Sequence, residues 1–319
     1  MRDAKNSLSI PLNEEKALVG ARSFAALGAY FDGNLSVLGV HRRKRQLVAI
    51  AIVVAIFSSV FSYGEMASAV GVLNHCLLYN RALFSVLSDT FKWLSHFRGG
   101  TWLPRRVVLE LLTAVIFLPF AENDLRKDFS LHVRASDSSM HGAAFGAAPA
   151  SREQLEYLLR RCDARGTSVR VTKPIDSKSL SSVPSLLCLP LGKTEPDLLF
   201  KLILQWKWRY GNDVPIVLLE ALAYFSMVKY LTKREENHDQ RHFHIFDALG
   251  ASGAFAKGRS SSLRMNRICR KVTALGVFAN MTFYYAYTDS ESQPMDEGSR
   301  VFPASSGNIP RDFTPQPQA

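Results

Sequence analysis

The stretch VRASDSSMHGAAFGAA, residues 133–148, sets a single carboxylate, Asp137, among small and apolar residues. Residues 129–135 alternate with period two, 138–142 hold turn-forming residues, and 143–148 make a second short apolar run, so the segment reads as strand, turn and strand. A buried strand face excludes an unpaired charge, because burying one costs several kcal/mol or forces its neutralisation. Asp137 is therefore either a turn residue or the ligand of a cation, and the stretch alone leaves both open.

Around it lie 319 residues, enough for two ordinary domains or for one domain with a helical appendage. Hydrophobic residues make up 47% and charged ones 21%, which is globular composition and excludes wholesale disorder. The net charge of +11 and pI near 9.6 point to a polyanionic partner, nucleic acid ahead of an anionic membrane surface. Cys76, Cys162, Cys188 and Cys269 are widely separated and form no CxxC pair, which argues against a zinc module and a disulfide scaffold. The first thirty residues carry charges throughout and read as no secretory leader, so the expected location is intracellular, cytoplasmic or nuclear.

One run raises the membrane question. Residues 47–64, LVAIAIVVAIFSSVFSYG, are uncharged and follow the basic run 42–45, the flanking pattern of a membrane span. The run reaches minimal length only by counting Ser58, Ser59 and Ser62, and a helix buried among other helices is equally apolar, which is the preferred reading. The basic run is a nuclear-localisation patch or simply a solvated helix end.

Helical periodicity covers 47–62, 66–97 and 105–120, so 41–125 is expected to be all-helical. Beyond residue 126 strands and helices alternate, which predicts an α/β domain over 126–300. Its expected helices are 151–163, capped by Ser151 with Gln154 in the capping box, 214–231, and the basic 262–278. Its further strands are 199–210, 243–247 and 282–287, with a Ser/Pro-rich insertion at about 165–200 and a disordered tail over 301–319. His238, His242 and His244 have no Cys or Glu at ligand spacing and read as a polar loop.

Four acidic residues fall at or near element ends: Asp137, Glu220, Asp247 and Asp296. Each alone reads as a turn cap or a solvated helix residue. With their neighbours they form a set: ASDSS (135–139) with GAA (142–144), IVLLEALA (216–223), FDALGA (246–251) followed by AKGRSSS (256–262), and QPMDEGSR (293–300). In order and approximate spacing the set resembles the ribonuclease H domains of retroelement polymerases, most closely those of tyrosine-recombinase (DIRS-type) retrotransposons. Upstream, VLGV (37–40) resembles the end of a reverse-transcriptase palm, and LPRRVVLELL (103–112) with AENDLR (121–126) the thumb or connection. The resemblance thus covers about 35–300, with 1–40 a palm remnant and 41–125 the thumb/connection. It implies a ribonuclease H-like mixed sheet flanked by helices. No Tyr-x-Asp-Asp motif occurs, so DNA synthesis is not expected. The family's Asn after the third Asp is Ala248 here, and the Asn before the final Pro is Gln293.

By that resemblance Asp137, Glu220, Asp247 and Asp296 would be catalytic and would hold two Mg²⁺ or Mn²⁺ ions, the hard cations that all-oxygen ligand sets favour. The substrate would be the RNA strand of an RNA/DNA hybrid, and the polymerase part of the same element a further partner. Ser138, Ser139 and Ser260 suit 2′-hydroxyl contacts, and Lys257, Arg259, Arg264, Arg267 and Lys271 suit phosphates, the alternative for the last group being a solvated basic helix. The second reading of the whole chain is a catalytically inactive nucleic-acid-binding remnant of the same element. A third is a single-span membrane protein.

Overall fold

A computed structural model describes residues 20–58, 62–96, 102–160, 162, 198–208 and 214–302. The expected insertion and tail lie almost wholly outside these residues, as does the first half of the 1–40 segment. The described residues open with three short strands that the sequence does not announce, β1 (Ser23–Ala26), β2 (Ala29–Asp32) and β3 (Val37–Gly39). Four helices follow: α1 (Arg42–Ser58), α2 (Tyr63–Leu77), α3 (Ser88–His96) and α4 (Arg105–Phe117). The expected continuous helix over 66–97 is broken by a 3-10 segment, Leu78–Leu87, where Asn80 leaves helical geometry and its side-chain amide donates to the Phe120 carbonyl at 3.0 Å. Strand β4 (Glu122–Asp124) falls within the segment expected to be all-helical, just past the expected end of its third helix, and closes a four-stranded antiparallel sheet against β3.

Helix α1 departs from the buried-helix expectation. Val48 and Ile52 are buried, but Leu47, Ile50, Val54 and Phe57 are exposed, because among the described residues helices pack against one side of α1. At 17 residues it extends about 26 Å, less than the ~30 Å of a bilayer's hydrocarbon core. No helix among the described residues is long and apolar enough to cross a membrane. Arg45, from the basic run, turns inward to Glu122 at 2.8 Å and to the Leu118 and Pro119 carbonyls.

The second part is a ribonuclease H-like α/β fold. Its elements are β5 (Asp128–Ser138), β6 (Gly142–Pro149), α5 (Arg152–Leu159), β7 (Lys201–Lys207), α6 (Ile216–Thr232), β8 (Gln240–Phe246), α7 (Leu249–Lys257), α8 (Leu263–Phe278), β9 (Thr282–Tyr287) and α9 (Asp296–Arg300). The five strands form one mixed sheet in the order β7-β6-β5-β8-β9, antiparallel from β7 to β5 and parallel from β5 to β9. Strand alternation sends Val133 and Ala135 into the core that Leu155 and Leu158 of α5 complete. The opposite face carries Phe145, Trp206, Phe246 and Tyr285 against α6, α7 and α8. Helix α6 is apolar on nearly every side and fully buries Tyr224, whose hydroxyl lies 3.1 Å from that of Tyr285. Ser151 caps α5 with the reciprocal Gln154 bond, as its sequence indicates.

The two parts interlock through α8 and the 3-10 segment. Asn266 and Arg270 both donate to the Ser85 carbonyl at 2.8 Å, and Arg270 pairs with the buried Glu110 of α4. Gly258 ends α7 at φ +75°, and an added Cβ there would overlap the Arg81 carbonyl. Glycine is thus required at this junction twice over, by its backbone angle and by the neighbouring chain.

Candidate metal centre

Strands β5 and β8 are parallel neighbours, so their C-terminal ends meet on one edge of the sheet. Asp137 is the penultimate residue of β5, Asp247 directly follows β8, and Glu220 projects from the second turn of α6. Each of the three offers a carboxylate oxygen, and these oxygens lie within 4.8 Å of one another. Asp137 and Glu220 are buried and Asp247 is half-buried. Such crowding demands compensation, since like charges a few Å apart raise one another's pKa.

The surroundings supply part of it. Asp137 shares the side of β5 with Val133 and Ala135, where the Ser299 hydroxyl of α9 donates to it. The backbone N–H of Ser138 donates to Glu220 Oε1 at 3.0 Å. Glu220 Oε2 and Asp247 Oδ1 are buried without a hydrogen-bond partner among the described residues. Burial, followed by the charges of Asp137 and Asp247, pushes the Glu220 carboxyl up to about 10. Burial and then the Asp137 charge raise Asp247. Asp137 is also raised, chiefly by burial, against the lowering effect of its Ser299 hydrogen bond. A divalent cation would satisfy the two bare oxygens and remove the repulsion. The donor set of hard oxygens without nitrogen or sulfur fits Mg²⁺ or Mn²⁺.

Asp296 stands apart from this group of three. It begins α9 and pairs with Arg300 one turn on, at 2.7 Å, yet its charge still acts on Asp137. Ser299, three residues further along the same short helix, is the residue that sequence reading missed. Its signal was the helical spacing from Asp296 within DEGSR.

The other expected site residues are distributed as follows. Gly142 closes the β5–β6 hairpin, and an added Cβ there would force the Phe302 ring to shift. The Ser138 hydroxyl accepts from Trp208 Nε1 at 2.8 Å and donates to the Ser139 carbonyl. The Ser139 hydroxyl accepts from the His141 and Gly142 N–H groups and donates to the Ser299 carbonyl at 2.7 Å. Ser139 therefore builds the hairpin and ties it to α9, while Ser138 ties it to Trp208 beyond β7. Ser260 accepts from Ser262 N–H, and Ser262 caps α8. Arg264, Arg267 and Lys271 are exposed along α8, while Lys257 is half-buried at the end of α7. The Arg259 guanidinium sits 4.7 Å from the Phe91 ring centre and the Lys271 ammonium 5.4 Å from that of Phe225.

His238 lies in the loop before β8, as expected, but His242 and His244 do not. His242 and His244 lie within β8 and are buried, because the strand begins at Gln240 and sits between β5 and β9. His242 is bracketed by Arg134 and the Asn237 carbonyl, and burial pushes its pKa down to about 3. His244 faces the Ser136 hydroxyl at 3.1 Å and is likewise held neutral by burial.

No protein-family model matches the chain, and no curated protein matches it in sequence. Among solved structures, a foamy viral protease-reverse transcriptase in complex with RNA/DNA hybrid aligns at 11% identity over 90% of this chain and 53% of its own, with a TM-score of 0.30. A foamy viral protease-reverse transcriptase dRH in complex with ds DNA aligns at 10% identity over 82% of this chain and 37% of its own, with a TM-score of 0.29. The chain spans about half the length of the first and less of the second. At these scores the likeness adds nothing to what the strand order itself shows.

Proposed function

We propose that this chain is a metal-dependent endonuclease that cleaves the RNA strand of RNA/DNA hybrids, the ribonuclease H part of a DIRS-type retroelement polymerase. The observation that carries the reading is the convergence of Asp137, Glu220 and Asp247, from three separate elements, with two buried oxygens left bare. These three would hold a first Mg²⁺ or Mn²⁺, and Asp296 with Asp137 a second. When bound, such ions polarise a phosphodiester and lower the pKa of an attacking water. The chain's own residues orient that chemistry: Ser299 fixes the Asp137 carboxylate, and the Ser138 N–H fixes that of Glu220. The exposed face of Arg264, Arg267 and Lys271 would follow backbone phosphates, giving the salt-dependent part of binding.

One observation favours a second reading, that of a nucleic-acid-binding remnant without catalysis. Asp296 lies outside the group of three and is paired with Arg300. Incubating the protein with a labelled RNA/DNA hybrid and Mg²⁺ separates the two. Internal cuts in the RNA strand that Asp137→Asn abolishes support the enzyme. Hybrid binding without any such cleavage supports the remnant.

A further inference from the structure

A second polar centre lies toward the other end of β5. Phe129 pairs with Arg241 and Val133 with Phe243, so four steps along β5 match two along β8. The irregularity takes residues 130–132 out of the ladder with β8, a device that re-aims side chains. It opens a cleft of about 590 Å³ bounded by β5, the C-terminal end of α6 and the turn before β8. That volume falls within the range of small-ligand sites, about 300–1,000 Å³.

Arg134 lines this cleft at only 5% exposure. Its guanidinium contacts Ser130 Oγ at 3.1 Å, the His132 carbonyl at 3.1 Å, Asn237 Oδ1 at 2.9 Å and His242 Nδ1 at 3.0 Å. All four are neutral acceptors, and no carboxylate among the described residues pairs with it. A buried cation without a counter-charge costs several kcal/mol. Burial accordingly pushes its pKa down to about 10. Two more guanidiniums line the same cleft, Arg152 at the start of α5 and Arg234 just beyond α6. The Arg234 guanidinium lies 3.6 Å from the Tyr230 ring centre. The carboxylates present are both exposed: Asp128, and Glu236 at 4.0 Å from Arg234.

We propose that this cleft binds a phosphate group, carried by a free nucleotide or by the end of a nucleic-acid strand, with Arg134, Arg152 and Arg234 as its ligands. Guanidinium forks match phosphate oxygens two at a time, and the anion supplies the counter-charge that Arg134 lacks. The site is separate from the carboxylate group and needs no divalent ion.

Titration calorimetry of the full chain in EDTA at fixed ionic strength tests the proposal. The probes are inorganic phosphate, AMP, and one DNA oligonucleotide with and without a 5′-phosphate. Saturable phosphate or AMP binding is expected, weakened at least tenfold by Arg152→Ala and by Arg234→Ala. Both substitutions alter side chains at the cleft's rim and leave the Arg134 network in place. A phosphorylated oligonucleotide that outbinds its unphosphorylated twin identifies a strand end, and binding of AMP alone identifies a free nucleotide. Absence of saturable binding by every probe, or affinities unchanged in both variants, overturns it.

Discussion

Replacing Glu220 by Gln should make the metal-free protein more stable at neutral pH and leave it unchanged in acid. The Glu220 carboxyl is buried beside Asp137 and Asp247, and its pKa rises from 4.5 to about 10. Below pH 4.5 both the folded and the unfolded chain hold the proton, and the group's contribution to stability is fully present. As pH rises the unfolded chain ionises while the folded one does not, so that contribution is lost progressively up to about pH 10. At pH 7, keeping the proton costs about 3 kcal/mol, from ~1.4 kcal/mol for each pH unit above the ordinary value. Gln has the shape of the protonated acid and can still accept the Ser138 N–H bond. The variant should therefore gain about 1–3 kcal/mol at pH 7, each kcal/mol raising Tm by roughly 2–4 °C. Thermal unfolding of both proteins in EDTA between pH 4.5 and 8 reads this directly. A variant less stable than the parent at pH 7, or a difference that does not change with pH, would rule out a buried, protonated Glu220.

Other outcomes follow from the same contacts. Gly258→Ala forces a side chain onto the Arg81 carbonyl at positive φ and should cost about 1–3 kcal/mol in urea unfolding; an unchanged midpoint would show that the junction yields. Glu110→Ala strips Arg270 of its carboxylate and Thr90 of its acceptor, and should cost about 3 kcal/mol. A double-mutant cycle with Arg270→Met should return most of that as coupling, and additivity would count against the pair. His242 is held neutral in the fold, its pKa pushed from 6.5 to about 3, so its contribution is present above pH 6.5 and lost as pH falls toward 3. His242→Gln should flatten the dependence of stability on pH between about 4 and 6, and an identical slope would contradict this assignment.

How much of this was legible beforehand depends on whether a signal is local. Asp137 interrupts a period-two strand beside a turn, which raises the question of a cation locally, whereas Glu220 alone reads as a solvated helix residue and is marked only by its place in the ordered set with Asp137, Asp247 and Asp296. The β5–β6 hairpin and α6, α8 and β9 follow from periodicity and caps within each segment. Strand β4 did not, because three polar residues become a strand only by pairing with Val37–Gly39, more than eighty residues away. The burial of His242 and His244 was similarly hidden. Strand β8 is central, so both of its faces are covered and polar residues survive there only through Arg134, Asn237 and Ser136 on other segments. The exposed apolar side of α1 was obscured for the opposite reason, since an all-apolar helix does not reveal which side will lack a neighbour.

Asp137, Glu220 and Asp247 are proposed to form a divalent-metal centre. Mn²⁺ binding, followed by electron paramagnetic resonance and calorimetry on the full chain, tests it most directly. Saturable binding that protects the protein thermally, and that Asp137→Asn and Glu220→Gln each remove while the fold persists, is the predicted result. No saturable Mn²⁺ binding, or binding that survives both substitutions, would contradict it.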